Sequence, residues 1–295
     1  MNGVLLIDKP AGPTSHDVVA RVRRASGERR IGHTGTLDPG ATGLLPLVVG
    51  SATRLASLLT GRDKTYEAVV RLGFATDTDD ADGEPMEPRS EGLPGDAAIE
   101  EALNGFRGTF DQIPPRHSAK KIRGEKAYDL ARRDVAVELA PVAVTVRHLT
   151  RTPAEGDQLH LVVTATAGFY VRALARDLGA VLGCGAHLAA LRRTRSGHFE
   201  VSQAVPLEEV ERLGRDLSGV LIAPADALPH LPTVQLTEAG LKRAAHGNPV
   251  GPEHLTNHWI PAGSADPVKV LAPDGHLLAL AHARGGALHP AVVLG

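Results

Sequence analysis

Hydrophobic positions change their period several times along the chain, and each change marks an element. Residues 3–8, GVLLID, are a continuous apolar run stopped by Pro10 and Gly12, the pattern of a buried strand. Thr14 and Asp17 stand at the spacing of a capping box, and Val18, Val19 and Val22 then form a helical stripe that ends at Gly27. Residues 31–50 break both periods: five glycines and two prolines in IGHTGTLDPGATGLLPLVVG suit neither helix nor strand, so the first part is expected to be an irregular loop. Residues 65–74 alternate, with Tyr66, Ala68, Val70, Leu72 and Phe74 on one side and Glu67, Val69, Arg71 and Gly73 on the other, as a half-buried strand does. A stretch rich in acids, glycine and proline follows and reads as a surface loop, leading to a short helix near Ala97–Phe106.

Farther on, residues 120–133 suggest a basic helix bearing Ile122, Tyr128 and Leu130. Residues 159–167, LHLVVTATA, are strand-like, and Gly168 opens a helix with Val171, Leu174, Leu178, Val181 and Leu182 at helical spacing. On helical spacing Leu191 also reads as core. Strands and helices mix without regular alternation, which predicts an α+β domain and not a doubly wound one. Near residue 229 the character changes: APADALPHLPTV reads as a linker. Beyond it come a short helix, Thr237–Ala245, closed by Gly247, a hairpin turning at Asp274-Gly275, and a last strand, AVVL. The expected division is an α+β domain over 1–229 and a small β-barrel over 230–295, in keeping with two domains for 295 residues.

Composition narrows the classes. The chain is 42% hydrophobic and 22% charged, enough to bury a sizeable core, with only 3% aromatics. One cysteine, Cys184, excludes an internal disulfide and any CxxC metal site. The seven histidines after residue 229 match no zinc spacing. Asp8 and Lys9 interrupt the first apolar run, no stretch reaches the length of a membrane span, and no N-x-[ST] acceptor occurs, so a soluble cytoplasmic protein is expected. Net charge is only −2, but it is segregated: −9 over 77–101, +5 over 116–133, and +4 over both 1–62 and 171–195. Blocks of one sign focus a local field. Three basic blocks point to a polyanionic partner.

The glycine-rich loop lacks both G-x-x-x-x-G-K-[ST] and G-x-G-x-x-G, which argues against a nucleotide-cofactor site. It presents His33, Thr34, Thr36 and Asp38 on a backbone that glycines allow to fold tightly. Pro39 biases Asp38 away from the α-region. An aspartate so placed is either a turn-former or a rigidly held nucleophile or base.

Residues 32–54, GHTGTLDPGATGLLPLVVGSATR, resemble the signature loop of the TruB-type pseudouridine synthases, which modify the T-loop of tRNA. Four further segments resemble that family in its order: LLIDKPAGPTS (5–15), DKTYEAVVRLGFATDTDDADG (63–83), PPRHSAKKIRGEKAYDLAR (114–132), and GFYVRALARDLG with GAHLAALRRTRSG (168–179 and 185–197). The resemblance implies a pseudouridine-synthase domain on a mixed, largely antiparallel sheet, followed by a PUA-like barrel that the last 65 residues match only loosely. It also implies a reaction: a uridine's C1′–N1 bond breaks, the base rotates, and C1′ rejoins C5, with no cofactor and no metal. Such chemistry needs one carboxylate in a site kept from bulk water. Asp38 matches the family's catalytic aspartate, as nucleophile at C1′ or as base toward the ribose.

By the same resemblance Tyr66 matches the tyrosine that stacks on the target base, and Arg172 the arginine that pairs with the aspartate. Tyr170 and Leu191 match apolar walls of the uracil pocket, His33 a contact to the tRNA loop, and Asp80 a residue at the site's edge. Lys120, Lys121, Arg123, Arg192 and Arg193 would track RNA phosphates, and the acidic block would face away from them. His117 and Lys120 depart from the family pattern, standing where tyrosine and an apolar residue are common. A uridine in a structured loop must be flipped out and held by stacking. The expectation is therefore a stand-alone, monomeric tRNA T-loop isomerase. A tRNA-folding chaperone with secondary isomerase activity is one alternative. A guide-RNA-dependent relative is the other, opposed by the short N-terminus and the lack of a basic tail.

Overall fold

Gly3–Lys9 forms β1, and its unbroken apolar run has the burial such a run requires: Val4 and Leu6 enter one core, Leu5 and Ile7 the core on the opposite face. The computed structural model describes the chain except residues 88–89, 91, 117–120, 123–124, 127–138, 154, 260–265 and 295, with backbone only at 121–122 and 125–126. Helix α1 (Ser15–Ser26) starts at the expected capping box, Thr14 Oγ1 accepting from the Asp17 N–H at 3.0 Å while Asp17 accepts from the Thr14 N–H at 2.9 Å. It stops at Gly27, whose φ of 74° is the left-handed cap that glycine favours.

The following strands are β2 (Ile31–His33), β3 (Thr42–Val49), β4 (Lys64–Leu72) and β5 (Gly108–Gln112). Next come β6 (Lys121–Ile122), β7 (Glu125–Lys126), β8 (Val142–Arg151), β9 (Gln158–Ala165) and β10 (Ala186–Ser196). Short pieces β11 (Phe199–Glu200), β12 (Val205–Pro206) and β13 (Leu221–Ile222) follow. All but β6 and β7 belong to one eleven-stranded sheet with the spatial order β12-β1-β3-β10-β4-β9-β8-β5. Only β1–β12 and β3–β10 pair in parallel, so the sheet is mixed and largely antiparallel, as expected.

Helices α2 (Ala56–Thr60), α3 (Asp96–Asn104), α4 (Val171–Leu182) and α5 (Leu207–Leu213) cover this sheet. On one half α1 and α5 pack over β1 and β3 through Val18, Val22, Leu207 and Val210. On the other half α3 and α4 pack over β4, β8 and β9, where Tyr66, Ala68, Val70 and Leu72 present the apolar side of the predicted alternation. The C-terminal segment holds β14 (Thr233–Gln235), α6 (Glu238–Ala245), β15 (Val268–Leu271), β16 (Leu277–Arg284) and β17 (Ala287–Val293), a four-stranded sheet in that strand order. Leu277, Leu280 and Leu294 share a core with Val4, Leu6 and Leu44, so this sheet is packed against the main one.

Several expectations change. The irregular part of 31–50 narrows to 34–41, because β2 precedes it and β3, buried along nearly all its length, follows it despite two interior breakers. Residues 121–122 and 125–126 are not helical: Lys121 pairs with Lys126 and Ile122 with Glu125 as antiparallel strands, and 120, 123–124 and 127–133 lie outside the described residues. Leu191 sits on strand β10, not on a helix. Val181 points outward at 64% exposure, at the solvent edge of the α4 stripe.

Candidate active site

The loop at 34–41 is held from below by side chains rather than by a ladder. Leu37 is buried in the α1 core and pins the residue just before Asp38. Ser15 Oγ accepts from the Leu37 N–H at 2.8 Å and donates to the Leu37 carbonyl at 3.0 Å. Lys9, fully buried at the end of β1, donates through Nζ to the carbonyls of Ala41 (2.6 Å), Pro39 (3.0 Å) and Pro10 (3.0 Å). From the other side Arg193 donates to the carbonyls of Leu44 (2.7 Å), Gly35 (3.0 Å) and Thr36 (3.4 Å). Gly43 makes this approach feasible. Its φ is 94°, and a Cβ there would lie 2.3 Å from the Arg193 carbonyl oxygen.

Asp38 thus stands on a braced loop, facing Arg172 in the first turn of α4. The Arg172 guanidinium, nearly buried, contacts the Asp38 carboxylate at 2.9 Å and the Asp80 carboxylate at 3.4 Å. Asp80 is itself fixed. Its Oδ1 accepts from Thr78 Oγ1 at 2.6 Å and from the Asp82 N–H at 3.2 Å, and its backbone bridges to Leu188 of β10. Its neighbour Asp79, in a left-handed conformation at φ 65°, contacts Arg176 one turn farther along α4, at 3.2 Å. This part of the acidic block is therefore a wall of the site and not a solvated face.

The Asp38 side chain keeps 43% of its surface open, at the mouth of a cleft whose protein walls displace most of the water around the carboxyl. That desolvation pushes its pKa up, Arg172 pulls it down, Asp80 raises it again by like charge, and Lys9 lowers it. Burial pushes Lys9 itself down to about 8, against the attraction of Asp38. Two recesses meet at Asp38. One, about 450 Å³, runs between Asp80, Leu188 and Leu191. The other, about 1010 Å³, is walled by Tyr66, Tyr170, Leu191, Lys64 and Arg193. Together they can receive a nucleoside-sized group.

Of the expected site residues, Asp38, Arg172, Asp80, Tyr66, Tyr170 and Leu191 are brought together here. Tyr66 is almost buried on β4, directly across from Arg193 of β10, whose guanidinium lies beside its hydroxyl. Tyr170 is positioned through its backbone, the Gln112 amide accepting from its N–H at 2.9 Å and donating to its carbonyl at 3.1 Å. Leu191 lies between two irregularities in the β10–β4 register, which turn that stretch of strand toward the cleft. His33 stands at the head of the loop, edge-on to His16 with ring centroids 5.3 Å apart, and lines neither recess.

The phosphate-tracking set divides. Arg193 is 1% exposed with its guanidinium spent on carbonyls, so it is an internal brace of the loop and not a phosphate contact. Arg192 points the other way and holds Asp8 through two contacts, 2.7 and 3.0 Å, while retaining 39% of its side-chain surface. Lys120 and Arg123 lie outside the described residues, as does the Lys121 side chain. Sequence reasoning drew no site role from Lys9, Ser15 or Gln112. A lysine closing an apolar strand was the available signal for Lys9; nothing marked the other two. Among the described residues no group of three or more His, Cys, Asp or Glu side chains could hold a metal ion. No helix among them is long and apolar enough to cross a membrane.

Fold and site together define a cleft built around the Asp38 carboxylate, held with Asp80 against one guanidinium and flanked by aromatic and aliphatic walls. Comparison with known proteins makes this specific. The model of the TruB family pseudouridylate synthase N-terminal domain matches residues 23–171, and that of the tRNA pseudouridylate synthase B C-terminal domain matches 172–227. The tRNA pseudouridine synthase B of Thermobifida fusca is 45% identical over 99% of this chain and 98% of its own length. That of Solibacter usitatus is 42% identical over the whole of both. Among solved structures, a chain of a Cbf5-Nop10-Gar1 complex covers 99% of this chain and 85% of its own, with a TM-score of 0.74 and 26% identity. The chain belongs to the TruB family of pseudouridylate synthases.

Proposed function

We propose that the protein is a stand-alone tRNA pseudouridine synthase that isomerises the T-loop uridine (position 55 in tRNA numbering), and that it acts as a cytoplasmic monomer. The observation that carries this reading is the Asp38–Arg172 contact at 2.9 Å, in a cleft walled by Tyr66, Tyr170 and Leu191. Identity of 42–45% over full length to enzymes named tRNA pseudouridine synthase B, against 26% to the Cbf5 chain, favours the stand-alone reading over the guide-dependent one.

In this mechanism the target uridine leaves the RNA stack and enters the cleft. Tyr66 stacks on the base, and Tyr170 and Leu191 enclose it and exclude water. Asp38 acts in its ionised form, either attacking C1′ as N1 leaves or removing a ribose proton. The base then turns and C5 bonds to C1′, as the carboxylate leaves C1′ or returns the ribose proton; C5 loses its proton and N1 takes one up. No atom is gained or lost overall. Arg172 holds the carboxylate ionised and oriented throughout, a bond between charged groups being both stronger and more directional than a neutral one. Asp80 orients Arg172, His33 contacts the RNA loop around the extruded base, and Arg192 with the bases of 116–133 tracks the phosphates. Residues 1–229 form the catalytic domain and 230–295 a PUA-like RNA-binding barrel; the end of the second family match at residue 227 supports that boundary.

The test is to incubate the protein with unmodified tRNA transcript, without ATP, metal or partner, and to map pseudouridine at single-nucleotide resolution. One modified uridine in the T-loop is expected. Tight tRNA binding with no modification would instead favour the chaperone or a partner-dependent enzyme.

A further inference from the structure

Arg176, one turn behind Arg172 on α4, uses all three of its guanidinium nitrogens, each on a different residue. Nε donates to the adjacent Asp177 at 2.8 Å, Nη1 to the Asp79 carboxylate at 3.2 Å, and Nη2 to the Ile113 carbonyl at 2.8 Å. Residues four apart on a helix share a face, so Arg172 and Arg176 grip the same acidic turn. Arg172 takes the Thr78 carbonyl and the Asp80 carboxylate, both at 3.4 Å, and Arg176 takes Asp79 between them.

The gripped turn has a conformation that its surroundings must impose. Asp79 sits at φ 65°, left-handed for a residue with a side chain, and such a backbone persists only where its neighbours over-determine it. Its side chain keeps 13% of its surface, and its carbonyl accepts from the Leu188 N–H at 3.0 Å. Burial pushes the Asp79 carboxyl above the usual range, Arg176 and Arg172 pull it down, and Asp177 raises it again. A carboxylate so enclosed needs its cation.

The other end of the grip is the edge of the sheet. Ile113 directly follows Gln112, the last residue of β5, whose amide holds the Tyr170 backbone at both its N–H and its carbonyl. Asp80 lines the smaller recess at Asp38 and Tyr170 the larger. One guanidinium thus joins the turn that carries one wall of the cleft to the strand end that fixes the other.

We propose that Arg176 is a positioning residue for the reaction at Asp38: it sets the Asp79–Asp80 turn against the end of β5, so that Asp80 meets Arg172 while Tyr170 faces the base. Arg176 lines neither recess and acts only through these two walls. That the walls serve uridine isomerisation rests on the proposed function; that Arg176 sets them does not. The charges acting on Asp38 are those of Arg172, Asp80 and Lys9. When the turn relaxes, Asp80 leaves Arg172, and Asp38 loses a like charge while keeping its guanidinium, so its pKa falls. Deleting a distant cation without moving Asp80 would raise it instead.

The test has two arms on the full chain. The first is amide hydrogen exchange in Arg176→Gln. The Leu188 amide, bound to Asp79, and the Tyr170 amide, bound to Gln112, both exchange about tenfold faster, with the melting temperature within about 3 °C of wild type. Wild-type exchange at either amide overturns the joint setting of the walls. Arg176→Lys keeps the charge that Asp79 needs but not the fork, and shows the same faster exchange; wild-type exchange in this variant would reduce the role to charge and overturn the proposal. The second arm is the pH profile of pseudouridine formation on unmodified tRNA. In Arg176→Gln kcat/KM falls about 10- to 100-fold and its acid limb moves to lower pH. In an Asp80→Asn background the same substitution moves the limb no further. A limb that moves up, or moves equally in both backgrounds, overturns the proposal. A wild type that forms no pseudouridine overturns the proposed function instead, and the exchange arm still decides the role of Arg176.

Discussion

Asp38 and Asp80 share one guanidinium: Arg172 reaches the first at 2.9 Å and the second at 3.4 Å, so two carboxylates that repel each other are held in one cleft by a single cation. Asp38 is raised by its surroundings, and Asp80 is one of the groups that raise it. Asp80→Asn removes that like charge and leaves Arg172 committed to Asp38, so the Asp38 pKa falls. Because the reaction needs the ionised carboxylate, the acid limb of the kcat/KM profile against pH moves to lower pH in the variant. A limb that stays in place, or moves up, removes Asp80 from the electrostatics of the site.

Asp38→Asn keeps the size of the side chain and most of its contacts while abolishing its charge. Pseudouridine formation falls below detection, and tRNA affinity stays within about tenfold because the carboxylate acts on the bond and not on the backbone phosphates. Turnover at wild-type rate would sink the assignment of Asp38.

Arg192 and Arg193 are neighbours with opposite fates, and paired variants separate them. Arg193→Met leaves the carbonyls of Leu44 and Gly35 buried without donors and costs about 2–4 kcal/mol of stability, read by denaturant unfolding. Its effect on the salt slope of tRNA binding is nil. Arg192→Gln does the reverse, leaving stability within about 1 kcal/mol and lowering the slope by about one. An Arg193 variant of normal stability and reduced slope would return that residue to the RNA interface.

Gly43→Ala places a Cβ against the Arg193 carbonyl and forces alanine to φ 94°. The expected loss is at least about 2 kcal/mol, with activity falling further because the loop carrying Asp38 is displaced. Wild-type melting temperature in this variant would show that the strands can move apart without consequence.

Local signals were read well because they are local. Helix α1 announced itself by Thr14, Asp17 and Gly27, each of which acts within four residues of the helix end it caps, and β4 by strict alternation. The residues that gather around Asp38 were placed by resemblance, not by pattern. What the pattern concealed is long-range. In RRTR nothing marks Arg193 as buried and Arg192 as partly open, because that depends on which face of β10 meets β3 and β4. The register shifts in β10 also spoil its alternation, which is why Leu191 looked helical. Asp79 and Asp80 looked like part of a solvated run for a similar reason: their partners, Arg176 and Arg172, come from a helix nearly a hundred residues farther on.

The parallel pairing of β3 with β10, at Thr42–Arg192 and Gly43–Arg193, also has a consequence in time. At about 10 residues per second, a chain leaving the ribosome displays the Asp38 loop on the order of 10 seconds before Arg172 and Arg193 exist. Through that interval the acid has no guanidinium and the loop lacks one of its two supports. A nascent chain, or a fragment cut before β10, is therefore expected to form no pseudouridine instead of a little. Competence arrives in one late event, when a strand that begins almost two thirds of the way along the chain slots between β3 and β4.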